Sequence, residues 1–392
     1  MTTQPAHPLK LSHYAEGRDN NFNLLRFIAA FAVLIDHSFV LIAGTSDAEP
    51  FRKTLGIALG NIAVDAFFIT SGFLVTSSLF ARKSALGFIW ARILRIYPAL
   101  LVMAVLCICV LGLWFTSLQA GAYFSHPRTA LFALKNSTLV TGIEFYLPGV
   151  FSSLPWKKMV NGSLWTMPYE IWMYIALAVF WIVCRLFRSL QTQAAGVLIL
   201  SVATIALAAH AWNHFAGRPE DLLFRLAFMF FSGASCFVLR GRIVLSRTIF
   251  GGALAALLVS PLHIDLFFLV YELTFAYALL WLAYVPAGRV RNFNRIGDYS
   301  YGIYIYAFPI QQALVATIAG LSVAGLISLS SLLAITMGAL SWHAVEKHAL
   351  RLKFSPRASE LIQAEKPAGY RSLASHKLSA APTNSTRARG SN

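Results

Sequence analysis

Charge is what this sequence has least of. Asp, Glu, Lys and Arg make up 12% of its 392 residues, about half the share of an ordinary soluble domain. With 57% hydrophobic residues and a mean hydropathy of +0.64, that scarcity excludes both a soluble globular chain and a disordered one. The four cysteines, Cys107, Cys109, Cys184 and Cys236, lack the paired spacing of a zinc or redox site and read as apolar filler. There is no P-loop, no dinucleotide fingerprint after a strand and no His-Glu metal motif. ATP-driven transport, zinc hydrolysis and a resident metal are therefore not expected. The short alternating segments of an outer-membrane barrel are also missing. What is present is a series of apolar runs near the roughly 20 residues that a helix needs to cross a bilayer. The expected fold is all-α, a polytopic membrane protein.

Acidic residues are the rarer sign, 16 against 32 Lys and Arg, leaving a formal charge of +16. The basic residues cluster between the apolar runs: Arg82, Lys83, Arg92 and Arg95; Arg185 and Arg188; Arg240, Arg242 and Arg247; Arg289, Arg291 and Arg295; Lys347, Arg351, Lys353 and Arg357. Clusters at every second connection are the positive-inside pattern, so the charge reads as topology and not as a nucleic-acid footprint. About ten spans fit between them, near 22–42, 57–81, 96–116, 163–184, 194–213, 222–239, 246–260, 266–286, 298–319 and 323–344. Both termini are then cytoplasmic, in a plasma membrane of the bacterial inner type, and 117–160 is one long external connection. Residues 1–20 form a polar N-terminal segment without a signal-peptide core. Residues 21–351 form the membrane domain, and the Ser-, Ala-, Lys- and Arg-rich tail 352–392 reads as disordered.

On that topology the buried polar residues sort by depth. Asp36, His37, Asp65, Glu170, Glu272 and Arg225 fall in the outer third, where an ionisable group is costly unless it has a partner or a task. Arg26 opens the first span, and Arg92 and Arg95 in "RILR" stand one turn apart at the entry to the third. Two arginines on one face can grip a phosphate. His37 stands eleven positions after Arg26, roughly 16 Å of helix, a length that suits an acyl carrier with its phosphates at the inner mouth and its thioester at the histidine. Each residue has a simpler reading as well. The arginine pair serves equally as inside anchors, His37 as a core histidine, Arg225 as half of a static ion pair, and the small residues of "ITSGFL" as packing surfaces.

Several stretches carry a family resemblance. Arg26 and His37 match an Arg-x10-His pattern. "GNIAVDAFFITSGFL" contains Asp65, Ser71 and Gly72; "RILRIYP" contains Arg92, Arg95 and Pro98; "LPGVFSSLPWKKMVNGSLWTMPYEI" contains Asn161, Gly162, Ser163, Trp165 and Glu170; "IGDYSYGIYIYAFPIQQ" contains Tyr304. In this order they resemble the acyltransferase 3 family of integral-membrane acyltransferases, from about Asn20 to Arg351. Ala307 stands in "YAFP" where many members have a histidine, which places more weight on His37. The resemblance implies transfer of an acyl group, commonly acetyl from acetyl-CoA, to a hydroxyl of an extracytoplasmic or lipid-linked glycan. By that resemblance His37 is the catalytic residue and Arg92 and Arg95 help to hold the CoA moiety. No bound cofactor is expected, acyl-CoA being a substrate.

The expected mechanism has His37 as general base on an acceptor hydroxyl or as the nucleophile that takes the acyl group. Glu170 is expected to orient it, then Asp65. Adjacent helical residues point about 100° apart, so Asp36 faces elsewhere. Asn161 and Ser163 are placed at acceptor hydroxyls or the oxyanion, while Ser71, Arg225, Glu272 and Tyr304 support the acceptor or the structure. The rival reading is a transporter or flippase for a glycan or lipid precursor, using the same charges as a proton relay.

Overall fold

A computed structural model describes residues 9–354 apart from 16, 18, 83 and 185–190. The tail from 355, and with it Arg357, lies outside the described residues, as do Lys83, Arg185 and Arg188. The described chain is helical, with only isolated β-bridges. Its principal helices are α1 (Phe22–Ala43), α2 (Leu59–Arg82), α3 (Ala85–Leu106), α4 (Pro127–Thr138), α5 (Met167–Cys184), α6 (Gln191–Phe215), α7 (Leu222–Val238), α8 (Arg247–Val259), α9 (Ile264–Tyr284), α10 (Ser300–Thr317) and α11 (Val323–Ser341). Seven stretches, built on α1, α2, α3, α5, α6, α9 and α11, are long and apolar enough to cross a membrane. The helices α7, α8 and α10 occupy the other three expected span positions, and α7 and α8 are shorter apolar helices.

Their boundaries follow from local chemistry. Gly44, at φ 73°, ends α1 with its N–H on the Val40 carbonyl, a left-handed position that glycine adopts without strain. Ser84, Asp221 and Ser322 cap α3, α7 and α11 by accepting backbone N–H groups of the first turn, donors that the helix itself leaves unsatisfied. In the interior, glycines set the spacing. A Cβ on Gly72 of α2 would lie 1.8 Å from the Phe230 carbonyl oxygen, and one on Gly233 of α7 would lie 2.0 Å from that of Ile69. These reciprocal contacts let two backbones meet directly, the usual route to tight packing where lipid removes the hydrophobic drive between helices. In the same way, a Cβ on Gly302 of α10 would lie 2.7 Å from the Gly338 Cα of α11.

Two expectations are corrected. The third span starts eleven residues earlier than expected, at Ala85, and continues through a π-helical turn over Cys107–Gly112 to Phe115. Its 31 residues extend roughly 46 Å, more than the roughly 30 Å hydrocarbon core. Arg92 and Arg95 therefore lie two to three turns inside the helix, not at its entry.

The second concerns 117–160, expected as one long connection: it holds a helix of its own and packs against the bundle. Tyr123 donates to the Ile108 carbonyl inside the π turn, 3.0 Å, and Tyr97 to that of Thr138 at the end of α4, 2.8 Å, so α4 lies along α3. The chain then returns to Thr116, whose hydroxyl donates to the Pro148 carbonyl at 2.7 Å. From there it dips into the bundle, where Asn161 Nδ2 reaches Met103 Sδ at 3.4 Å and the Ile305 carbonyl at 2.9 Å. As a result α5 begins deep among the other helices.

The basic connections gather at one end. Leu11 N–H donates to the Ile243 carbonyl at 2.8 Å, Asn21 Nδ2 to that of Pro286 at 2.8 Å, and Arg95 meets Glu346 at 3.1 Å. These contacts bring the N-terminal segment and the connections near 243, 286 and 346 together.

Candidate active site

Three polar layers follow one another along the bundle. At the basic end, Arg26 Nη1 and Arg95 Nη2 share Asp298 Oδ2 at 2.8 and 2.5 Å, and Arg95 Nη1 meets Glu346 Oε2 at 3.1 Å. The Ser300 hydroxyl donates to Asp298 at 2.5 Å and that of Ser341 to Glu346 at 3.0 Å. Burial acts to raise the Asp298 carboxyl, but Arg26 and Arg95 outweigh it and hold the group at about 2. The expected bare cationic grip is thus a lattice of ion pairs. Asp298 and Glu346 are functional neighbours that sequence reasoning missed, because carboxylates near span ends carry no depth signal. A π-helical turn over Trp342–Glu346 sits where α11 would otherwise continue and presents Glu346 to Arg95. Arg92 is held differently, over the Tyr174 ring at 5.8 Å.

Above this lattice is a cavity of about 40 Å³ lined by Arg26, Phe67, Ser71, Thr166, Glu170 and Tyr304, among others. The Glu170 carboxylate accepts from the Tyr174 hydroxyl and from Ser71 Oγ, the latter at 3.4 Å. Glu170 was expected beside His37 in the outer third. The structure instead places it in the cavity that Arg26 lines, because the segment before α5 enters the bundle so deeply. Tyr304 donates to the Ser163 carbonyl and pairs with Thr166 Oγ1, both at 2.6 Å, fixing the turn over Gly162–Thr166 against α10.

One helical turn beyond Tyr304, the Phe308 ring meets the His37 ring edge-on, with centroids 5.1 Å apart. A Cβ on Gly162 would strike Phe308 Cε2 at 2.6 Å, so the ring is held between the Gly162 turn and His37. His37 Nδ1, Ser163 Oγ and Asn161 Oδ1 are buried without hydrogen-bond partners. Orphaned buried atoms are costly in a finished core, and here they come from the two motifs that flank Phe308. Asp36 does face elsewhere: its carboxylate accepts the Gly60 N–H in the first turn of α2 and joins α1 to α2.

The third layer is made of ion pairs. Arg225 Nε and Nη2 meet Asp65 at 3.1 and 2.9 Å, Tyr271 donates to the same carboxylate at 2.8 Å, and Glu220 reaches Arg225 Nη1 at 3.3 Å. Asp65 and Arg225 are 0% and 1% exposed. Asp65, expected as the second candidate to orient His37, is committed to Arg225 instead. Glu272 lies 3.3 Å from His210, a histidine the sequence reading did not single out.

A bundle of apolar helices that holds His37 against Phe308, with orphaned polar atoms in the motifs beside it and a guanidinium lattice at the start of the same helix, defines an integral-membrane enzyme. Residues 19–343 match the acyltransferase domain model of the acyltransferase 3 family, and the chain belongs to that family; it is a membrane acyltransferase. It is 28% identical over 363 residues to the O-acetyl transferase of Shigella phage Sf6, covering 87% of this chain and 99% of that one. It is 26% identical over 379 residues to nodulation protein 10 of Rhizobium leguminosarum bv. viciae, covering 89% and 98%. No solved structure matches the chain.

Proposed function

We propose that this protein moves an acyl group, acetyl in the first instance, from cytoplasmic acyl-CoA to a hydroxyl of an extracytoplasmic or lipid-linked glycan. It does so from a ten-span fold with both termini inside a plasma membrane of the bacterial inner type. One observation carries the reading. One cavity is lined by both Arg26 and Tyr304, Tyr304 stands one helical turn before Phe308, whose ring meets that of His37 edge-on, and Arg26 and His37 share a single helix. The similarity to an O-acetyl transferase supports acetyl, and the gathering of basic connections at the Arg26 end supports a cytoplasmic donor. The inner arginines meet the donor phosphates, with Arg92 the one held by an aromatic ring instead of a carboxylate.

In the proposed step His37 takes the proton of the acceptor hydroxyl as that oxygen attacks the thioester carbonyl. The tetrahedral oxyanion receives a hydrogen bond from Ser163 Oγ, which has no other partner. Asn161 Nδ2 is already spent on the Ile305 carbonyl, so its role is to shape the turn. The C–S bond then breaks, and the proton on His37 passes to the leaving thiolate. General-base catalysis contributes about 10²- to 10⁴-fold, so His37→Ala should lower incorporation of labelled acetyl into surface glycan by at least 100-fold at equal membrane abundance. Parental activity in that variant overturns the assignment. Arg92→Ala should raise the KM for acetyl-CoA more than it lowers kcat, because a phosphate contact acts alike in ground and transition states.

A further inference from the structure

At the end opposite the basic connections, a cavity of about 310 Å³ opens between the first turn of α2, the end of α6 and the start of α9. Its lining includes the aromatic rings of Phe267, Phe268 and Tyr271 and the amides of Asn61 and Asn213. Two side chains more than nine-tenths buried also line it: His210 and Glu272 are 5% and 6% exposed. They face each other through Nε2 and Oε1 at 3.3 Å, while His210 Nδ1 and Glu272 Oε2 have no partner. Glu272 Oε2 is an unfilled acceptor and His210 Nδ1 an unfilled ring nitrogen, bordering a space at the lower end of small-molecule sites.

Most of the charges around the cavity are already paired with an opposite charge. Arg225 is bound by Asp65 and Glu220, Arg52 by Glu49, and His214 by Asp265 at 2.9 Å while its ring stacks on Phe268 at 4.0 Å. Arg218 lies over the Trp212 ring at 5.9 Å. An anion would find no open cation pair, and no three His, Cys, Asp or Glu side chains among the described residues converge to hold a metal. What remains is a set of paired donors and acceptors in one lining with aromatic rings, which suits a ring with hydroxyls on its edge and C–H bonds on its face. We infer that this cavity binds an uncharged sugar residue of the acceptor glycan, adjacent to the one that is acylated. Asn61 follows Gly60, whose N–H is held by Asp36, and Asp36 precedes His37, so one backbone contact joins the sugar wall to the reaction depth. The inference rests on the glycan-acylation reading and adds where, and by what chemistry, the acceptor is gripped.

The test uses the full chain in lipid nanodiscs free of glycoside detergents, with saturation-transfer NMR. The probes are the methyl glycosides of glucose, galactose, rhamnose and N-acetylglucosamine, with glucuronic acid and glucose 1-phosphate as charged counterparts. At least one neutral glycoside should receive saturation, and the charged probes should receive less. Asn213→Trp, which fills the cavity from a half-exposed position, should cut the signal at least tenfold, and the near-isosteric Glu272→Gln severalfold, both at unchanged thermal midpoint. No transfer to any neutral glycoside, stronger transfer to a charged one, or an unchanged signal in both variants overturns the inference. Acetyl incorporation separates the two readings. Parental incorporation in both cavity variants, with none in His37→Ala, removes the sugar site and leaves the enzyme. Sugar binding without any acyl transfer does the reverse.

Discussion

Arg225 is 1% exposed and is held by two carboxylates, and that arrangement decides what its replacement costs. Taking one member from a buried ion pair leaves the other charge unpaired in a medium that cannot solvate it, at about 3 to 5 kcal/mol. Arg225→Met should therefore lower the thermal midpoint sharply, while the double variant Asp65→Leu with Arg225→Met should recover more than half of the loss. Unchanged stability in Asp65→Asn combined with lost acyl transfer would instead place Asp65 in the chemistry. Asp298 allows a second residue-scale test. Its carboxyl is held at about 2 by the flanking guanidiniums, below the ordinary value near 3.9. A depressed folded value means that the stabilisation is complete above the unfolded pKa and is lost as pH falls through the folded one; its size is about 2 kcal/mol. The stability gap between parent and Asp298→Asn should thus stay constant from pH 8 to 5 and close below pH 4. A gap that closes between pH 8 and 5 would show that Asp298 is not so held.

At the scale of elements, the glycine contact between α2 and α7 fixes where Asp65 and Ser71 stand. Gly72→Ala would place a methyl group 1.8 Å from a backbone oxygen, an overlap relieved only by moving one helix. The expected cost is at least the 1 to 3 kcal/mol of ordinary overpacking, read as a lower midpoint, together with lost acyl transfer even though position 72 bears no reactive atom. Helix existence was legible in the sequence because roughly 20 apolar residues in a row have few other fates. The start of α3 was not. Arg92 and Arg95 look like a boundary in a linear reading, whereas in the fold their charges are matched by Asp298, Glu346 and Tyr174 across helices. The depth of Glu170 was hidden for a related reason: a polar, glycine-containing segment reads as a surface loop, and nothing local reveals that Asn161 and Tyr304 draw it inward. The Arg26–His37 interval survived because both residues share one uninterrupted helix, where sequence distance is spatial distance.

The whole molecule has a polarity that a labelling experiment can read. The N-terminal segment and the connections near 243, 286 and 346 gather at the end that holds Arg26, and the opposite end carries the Arg52–Leu55 turn, the Ser152 loop and the proposed sugar cavity. If the positive-inside bias orients the chain, a membrane-impermeant maleimide applied to intact cells should reach only the second end. The four native cysteines would first be replaced, since Cys109 is exposed on the helix surface. Single cysteines then go at exposed positions: Lys53 and Ser152 at one end, Arg242 and Arg289 at the other. Lys53→Cys and Ser152→Cys should label in intact cells, and Arg242→Cys and Arg289→Cys only after permeabilisation. The reverse pattern would place the guanidinium lattice outside, where no cytoplasmic acyl-CoA could reach it, and would remove the donor half of the proposed reaction while leaving the His37 site intact.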